Sequence, residues 1–345
     1  MNEAPVAEDP IPAPEELAAF ARTAISPPLL TDIFTADPSA HVFVGAIHVY
    51  VSHDIDAGAP FDDDGGHFGM VDYHVLRMES PQGPAVDCGV ALHLDDVPWA
   101  QRQMWAPDAA TRDGRYYLYF PARQADGRFR IGVAVSDRPA GPFSAEPLPI
   151  EGAYSIDPAV FADDDGEHYL YFGGLWGGQL QQYRDNVHAP DHAEPDPERP
   201  ALGARVARLH ANMTQLAEPA REVVILDEHG QPLLAGDHER RYFEGPWLHR
   251  HAGRYYFSYS TGNTHLLCYA VGDNPYGPFT YQGVILKPVV GWTTHHSICA
   301  FDGRWYLFYH DALASGGVTH LRSVKVTELR HDADGRIRTI DPYGG

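Results

Sequence analysis

Apolar residues along this chain fall into short runs rather than long periodic stretches. Five of the runs resemble one another: HVFVGAIHVYVS at 41–52, RDGRYYLYF at 112–120, DDGEHYLYFGG at 164–174, HAGRYYFSYS at 251–260 and FDGRWYLFYHD at 301–311. Each reads as a strand, a tight turn on Gly45, Gly114, Gly166, Gly253 or Gly303, and an aromatic strand of period two. Asp-Gly and related turns between apolar runs are the strongest short-range hairpin signal. The five glycines are 69, 52, 87 and 50 residues apart, too irregular for a solenoid but natural for units with loop insertions.

Two of the hairpins are followed by VAVSDRPAGPF (133–143) and YAVGDNPYGPF (269–279), each a third strand and a Pro/Gly turn toward an outer edge strand. RVARLHANM (205–213) and LRSVKVTEL (321–329) supply similar third or fourth strands. Four short strands repeated five times predict an all-β fold, a single-domain five-bladed β-propeller over residues 27–345. Residues 1–26 are an acidic, Pro-rich N-terminal extension with one helical segment, Glu15–Thr23. The stretch 173–203 is too polar and Pro-rich for core and reads as a long loop on one face, with a smaller one at 54–68. Long loops on a rigid scaffold commonly carry function.

Composition narrows the partners. Lys and Arg number 25 against 47 Asp and Glu, a formal net charge of −22. Such a surface repels phosphate backbones and anionic membranes, so neutral sugars or cations are the easier partners, with no nucleic acid and no membrane. No window approaches 18 uninterrupted apolar residues. Cys88, Cys268 and Cys299 lie far apart, and the odd count fits reduced, buried thiols rather than a disulfide framework. The N-terminus has neither a basic start nor an apolar core segment, so it is not a signal peptide as written. The expected location is the cytoplasm, a removed leader being the alternative.

Aligning the hairpins reveals what opens each one: TADPSAHVF, WAPDAATRDG, SIDPAVFADDDG, FEGPWLHRHAG and THHSICAFDG. Six to nine positions before the turn glycine stand Asp37, Asp108, Asp157, Glu244 and His296. The first strand of a propeller blade lines the central channel, so these positions converge on one axis. Pro38 and Pro158 follow their acids directly and Pro246 follows Glu244 by two, which suits a free strand edge and predicts extended backbone before each proline. A lone Asp-Pro reads as a turn, and Asp108 reads as a strand-start cap. Asp37, Asp157 and Glu244 on one ring are different: facing carboxylates raise each other's pKa, a cost usually tolerated for function. Two carboxyls across a pocket, one ionised and one protonated, are the machinery of glycoside hydrolysis. HExxH and GxSxG are absent, and GGLWGG (173–178) matches neither a dinucleotide nor a P-loop pattern.

TADPS, MWAPD, SIDPAVF, FEGPW, the two GPF turns and THHS, spread over residues 31–330, together resemble glycoside hydrolase family 43, the inverting five-bladed propeller enzymes. The resemblance implies Asp37 as general base, Asp157 as the residue that tunes and orients the acid, and Glu244 as general acid. It implies that His296 is the axial histidine that meets a central cation or water, often calcium. The expected structural ion is therefore calcium, with no organic cofactor. Related retaining propellers carry WMNDPN, RDP and EC motifs, which FTADPS, SIDP and FEGP do not match. The closest likeness is to single-domain β-xylosidase/α-L-arabinofuranosidases, which implies exo-acting release of D-xylose or L-arabinose from small hemicellulose-derived oligosaccharides. An arabinanase or galactan-type glycosidase of the same family and a non-catalytic carbohydrate-binding propeller are the alternatives.

Further residues are assigned to substrate binding. Trp105 precedes a channel strand and Trp292 precedes His296, so both are expected to stack on a sugar face, with Trp176 a weaker case. Trp247 and Trp305 read as blade core. Arg322 resembles a family arginine that reaches sugar hydroxyls, while His53, Asp54 and His265 are expected to border the pocket. His295 reads equally as a packed neighbour and as a ligand.

Overall fold

The structure, a computed structural model, describes residues 11–344. Five sheets, antiparallel apart from one short edge strand, succeed one another around an axis, giving the expected five-bladed propeller. Blade one contains Phe34–Phe43, Ala46–Asp54, Asp72–Met78 and Val86–His93. Blade two contains Asp108–Arg112, Arg115–Arg123, Phe129–Ser136 and Ser144–Ala145. Blade three is built from Ala159–Ala162, His168–Phe172, Arg205–Arg208 and Arg221–Glu222. The order within each runs from the axis outward.

The last two blades depart from four strands apiece. Blade four has Glu244–His251, Arg254–Ser260, Leu267–Gly272 and Phe279–Leu286, with Ile225–Leu226 added in parallel on its outer edge. Blade five has three strands, His296–Phe301, Arg304–Asp311 and Ser323–Leu329. The chain entering blade one runs beside the last of these. Leu29 N–H donates to Val324 O at 2.8 Å, and Thr35 N–H to Arg322 O at 2.9 Å. This pairing closes the ring and covers an edge that would otherwise be left open.

The hairpins follow from turn chemistry. Val44–Gly45, Asp113–Gly114, Ala252–Gly253 and Asp302–Gly303 all have positive φ at both central residues, as two-residue hairpin turns matched to strand twist require. Each turn fixes register, pairing Phe43 with Ala46 and Arg112 with Arg115. The aromatic strands bury both faces between neighbouring blades: one core joins Tyr50 and Tyr73 of blade one to Leu118 and Phe120 of blade two. Another joins Val49 and Leu76 of blade one to Phe308 and Val324 of blade five, across the ring closure.

The sequence reading needs three local corrections. The insertion after Phe172 is not all surface loop: Leu180 and Tyr183 sit in the main core, and Trp176–Gly178 forms a short 3-10 turn against the channel. Cys88 is exposed on the outer strand of blade one, while Cys268 and Cys299 are buried, all three as free thiols. The helix starts at Pro14 and runs to Thr23, with Pro14 at the first turn where its missing N–H costs nothing. Its Phe20 ring lies 4.7 Å from that of Tyr343. Among the described residues no helix is long and apolar enough to cross a membrane.

Candidate active site

The inner strands begin at one end of the channel, and there Asp37, Asp157 and Glu244 share one pocket of about 720 Å³ including its open mouth. The backbone that aims the acids is not the extended one expected before proline. Asp37 and Asp157 are left-handed, at φ 53° and 55°. Gly245, before Pro246, takes the same conformation at φ 64°. In blade one the register slips between Ala36 and Ser39, and in blade four between Glu244 and Trp247. Each slip is a bulge that turns a side chain out of the ladder. In blade four glycine takes the left-handed position, so the acid stands one residue earlier and is one methylene longer.

Left-handed backbone at a non-glycine residue costs on the order of 1–3 kcal/mol and persists only where the surroundings hold it. Here they do. Asp37 N–H donates to His310 Nδ1 at 3.0 Å. The ring's other nitrogen, Nε2, lies 3.1 Å from Thr293 O, so the proton sits there. Gly245 N–H donates to Asp157 Oδ2 at 2.9 Å, so Asp157 pins the residue next to Glu244.

Charge is distributed unevenly over the three acids. Arg322 donates from Nη1 to Asp37 Oδ1 at 2.9 Å, and from Nε and Nη2 to the two oxygens of Asp54, each at 2.8 Å. Ser52 Oγ donates to Asp37 Oδ2 at 2.8 Å. Burial pushes the Asp37 carboxyl up, but Arg322, His310, His295 and Ser52 together outweigh it and hold Asp37 below the usual carboxylate range. Asp157 moves the other way: burial, and then the charge of Asp37, raise it against the pull of His295. Glu244 is raised well above an ordinary glutamate by burial and by Asp157 and Asp37, with Arg322 opposing only in part. One acid is thus kept ionised and another kept protonated across a common space.

The other sequence-assigned residues divide. Trp105, Trp292 and Arg322 line the pocket, as does Trp176. Trp176 lies 5.0 Å from Phe243 and 5.8 Å from Trp292, ring to ring, and the three form an aromatic wall. His53, Asp54 and His265 do not line it. Asp54 is buried beneath the Arg322 guanidinium. His53, next along a strand of alternating direction, turns away to Asp72 at 2.9 Å. His265 holds the Trp292 carbonyl with Nδ1 at 2.6 Å from outside the wall. Asp108 is wholly buried, bonded to His41 of blade one and to Val160 N–H of blade three, and it joins blades as a strand-start cap would. Trp247 is buried, while Trp305 is partly buried and packs beside His249 on the flank of the blades.

In blade five, His295 rather than His296 faces the pocket, its Nδ1 3.9 Å from Asp157 Oδ2. Alternation along the strand sends His296 inward, where it is 1% exposed. Its Nε2 meets Ser258 Oγ at 2.6 Å, and its Nδ1 has no hydrogen-bond partner among the described residues. Burial lowers this imidazole to about 3, so it is neutral, and in the tautomer that donates from Nε2 to Ser258 Oγ its Nδ1 offers a lone pair. That nitrogen fits an axial cation whose remaining ligands are waters. Among the described residues no three His, Cys, Asp or Glu side chains gather around it.

Sequence reasoning passed over Ser52, Thr293 and His310. Ser52 and His310 had a usable signal, since each is a polar residue ending an aromatic strand, in VYVS and LFYH. The second strand of each blade reaches the pocket end there, beside the opening of the first.

Comparison with known proteins agrees with this geometry. Residues 88–337 match the model of glycosyl hydrolases family 43. A xylosidase/arabinosidase of Bacteroides ovatus is 59% identical over 309 residues, 89% of this chain and 95% of that protein. The GH43_1 enzyme of Xanthomonas citri complexed with xylotriose has a TM-score of 0.92 at 69% identity, covering 96% of this chain and 98% of that one. A β-xylosidase/α-arabinofuranosidase from a compost microbial metagenome, in complex with xylotriose and in calcium-free form, has a TM-score of 0.91 at 60% identity, covering 93% and 99%. With its five blades, its shared pocket of three acids and a family match across most of its length, this chain belongs to glycosyl hydrolases family 43.

Proposed function

We propose that the protein is an exo-acting, inverting glycosidase that releases D-xylose or L-arabinose from the ends of short hemicellulose-derived oligosaccharides. The observation that carries this reading is the opposed protonation of Asp37 and Glu244 across one pocket. Asp37, ionised and anchored by Arg322, takes a proton from water as that water attacks the anomeric carbon. Glu244 gives its proton to the departing glycosidic oxygen. Asp157 raises the acid's pKa and, through Gly245 N–H, orients it. Trp105, Trp176 and Trp292 offer apolar faces to the sugar ring. The pentose preference rests on the relatives described as xylosidase/arabinosidases.

Attack by water requires the two carboxyls to stand roughly 6.5–9.5 Å apart, and the product to form with inverted anomeric configuration. Proton NMR of the first-formed sugar reads this directly, and a retained anomer would overturn the assignment.

His296 Nδ1 is the protein ligand we assign to an axial cation, in keeping with a relative solved in calcium-free form. A bound Ca²⁺ would supply fixed positive charge to the acid ring, with waters filling most of its six to eight positions. Exhaustive chelation is expected to lower activity or melting temperature, and added Ca²⁺ to restore it. Full activity in protein shown to be metal-free by elemental analysis would leave His296 a purely structural residue.

A further inference from the structure

Blade one carries a second constellation that glycoside chemistry does not use. The segment 55–71 leaves the sheet after Asp54, lends Phe61, His67 and Phe68 to the pocket wall, and returns at Asp72. His53 and Asp72 stand at its two ends, with His53 Nδ1 2.9 Å from Asp72 Oδ1. His74, on the same face of its strand as Asp72, brings Nε2 to 4.0 Å from Asp72 Oδ2. The imidazoles of His53 and His74 meet edge to face at 5.0 Å. One ligand atom from each of the three residues fits within 4.8 Å of the others. The side chains of Asp72 and His74 are about nine-tenths buried, at 11% and 10% exposure, while that of His53 is 24% exposed and leaves a way in.

The tautomer of His74 is set by a fourth residue. Both oxygens of Asp87 lie within 3.0 Å of His74 Nδ1. An ionised carboxylate can only accept, so Nδ1 carries a proton, and the ring presents Nε2 toward Asp72. Carboxylates placed in this way behind a histidine fix ligand orientation in metal centres.

We propose that His53, Asp72 and His74 form a site for a divalent transition cation of the zinc class at the base of this wall segment. Bonds of about 2.0–2.1 Å in tetrahedral geometry place donor atoms roughly 3.3 Å apart. The present separations of 2.9 and 4.0 Å bracket that distance, with all three donors within 4.8 Å of one another, and metal entry displaces the proton that His53 now shares with Asp72. Two imidazoles and one carboxylate suit Zn²⁺, Ni²⁺ or Co²⁺, whereas Ca²⁺ and Mg²⁺ prefer oxygen. The site is thereby chemically distinct from the axial one. An ion here ties both ends of segment 55–71 together and leaves a coordination position for water.

Isothermal titration of tag-free, chelator-stripped full-length protein with ZnCl₂ tests the proposal. One saturable equivalent is expected, unaffected by His296→Ala and by excess CaCl₂, together with slower proteolytic cleavage within 55–71. Asp87→Asn is expected to weaken binding about 10–100-fold. The double variant His53→Gln/His74→Gln is expected to lose the equivalent while keeping the metal-free melting curve of a folded protein. Should that melt be lost, Asp72→Asn serves as the second variant, with the same expected loss of zinc. Absence of a one-to-one isotherm, or its survival in these variants, overturns the assignment.

Discussion

Asp37→Asn is expected to cut turnover by on the order of 10²–10⁴-fold or more, and by a similar factor on every glycoside whatever its leaving group. The substitution keeps shape but removes the only function that cannot be replaced, acceptance of a proton from the attacking water. The Arg322 guanidinium keeps its two hydrogen bonds to Asp54, so the surrounding structure is not left with a wholly unpaired guanidinium. Measurement of kcat on a nitrophenyl xyloside and on xylobiose separates this from an acid role. A loss below tenfold on both would remove Asp37 as the base. The same residue is expected to set the acid limb of the pH profile. Because its folded pKa lies below the ordinary aspartate value, Asp37 is ionised before the unfolded residue would be. Its pairing therefore contributes stability above the unfolded pKa, and that contribution is lost as pH falls through the lower, folded one.

Glu244→Gln is expected to give the second large effect, and an uneven one. Xylobiose, whose leaving alcohol needs a proton, is expected to lose on the order of 10²–10⁴-fold, while nitrophenyl xyloside, whose leaving group barely needs one, loses far less. Equal losses would exclude Glu244 as the acid. Raised by burial and by its two acidic neighbours, Glu244 stays protonated beyond the ordinary glutamate range, and its ionisation is expected to form the alkaline limb. Asp157→Asn removes one of the charges that raise it, so the limb is expected to move to lower pH. An unmoved limb would mean that Asp157 acts only through the Gly245 N–H that it holds.

The main features of the site are legible in the sequence because the fold repeats. A glycine turn with an aromatic strand of period two is local chemistry, and it recurs at Gly45, Gly114, Gly166, Gly253 and Gly303. Once those hairpins are blades, equivalent positions lie on one axis, and Asp37, Asp157 and Glu244 must meet. Asp108 and His296 occupy the same aligned position yet miss the pocket wall. Sequence position specifies the strand opening, but the bulge specifies where the side chain goes.

By itself the sequence determined the class of fold, the number of blades and which three acids share one pocket, since all follow from local pattern and topology. Only the tertiary structure decided their states. The left-handed turns at Asp37 and Asp157 run against the local preference before proline and depend on bonds to distant His310 and Gly245. Arg322, 285 residues from Asp37, holds that carboxyl ionised, while the same burial without so close a cation keeps Glu244 protonated. Trp176 joins the wall because an insertion too polar to read as core folds its first turn onto the channel. Protonation and substrate contact arise from through-space interactions between segments that no local pattern links, and these exist only once the ring has closed.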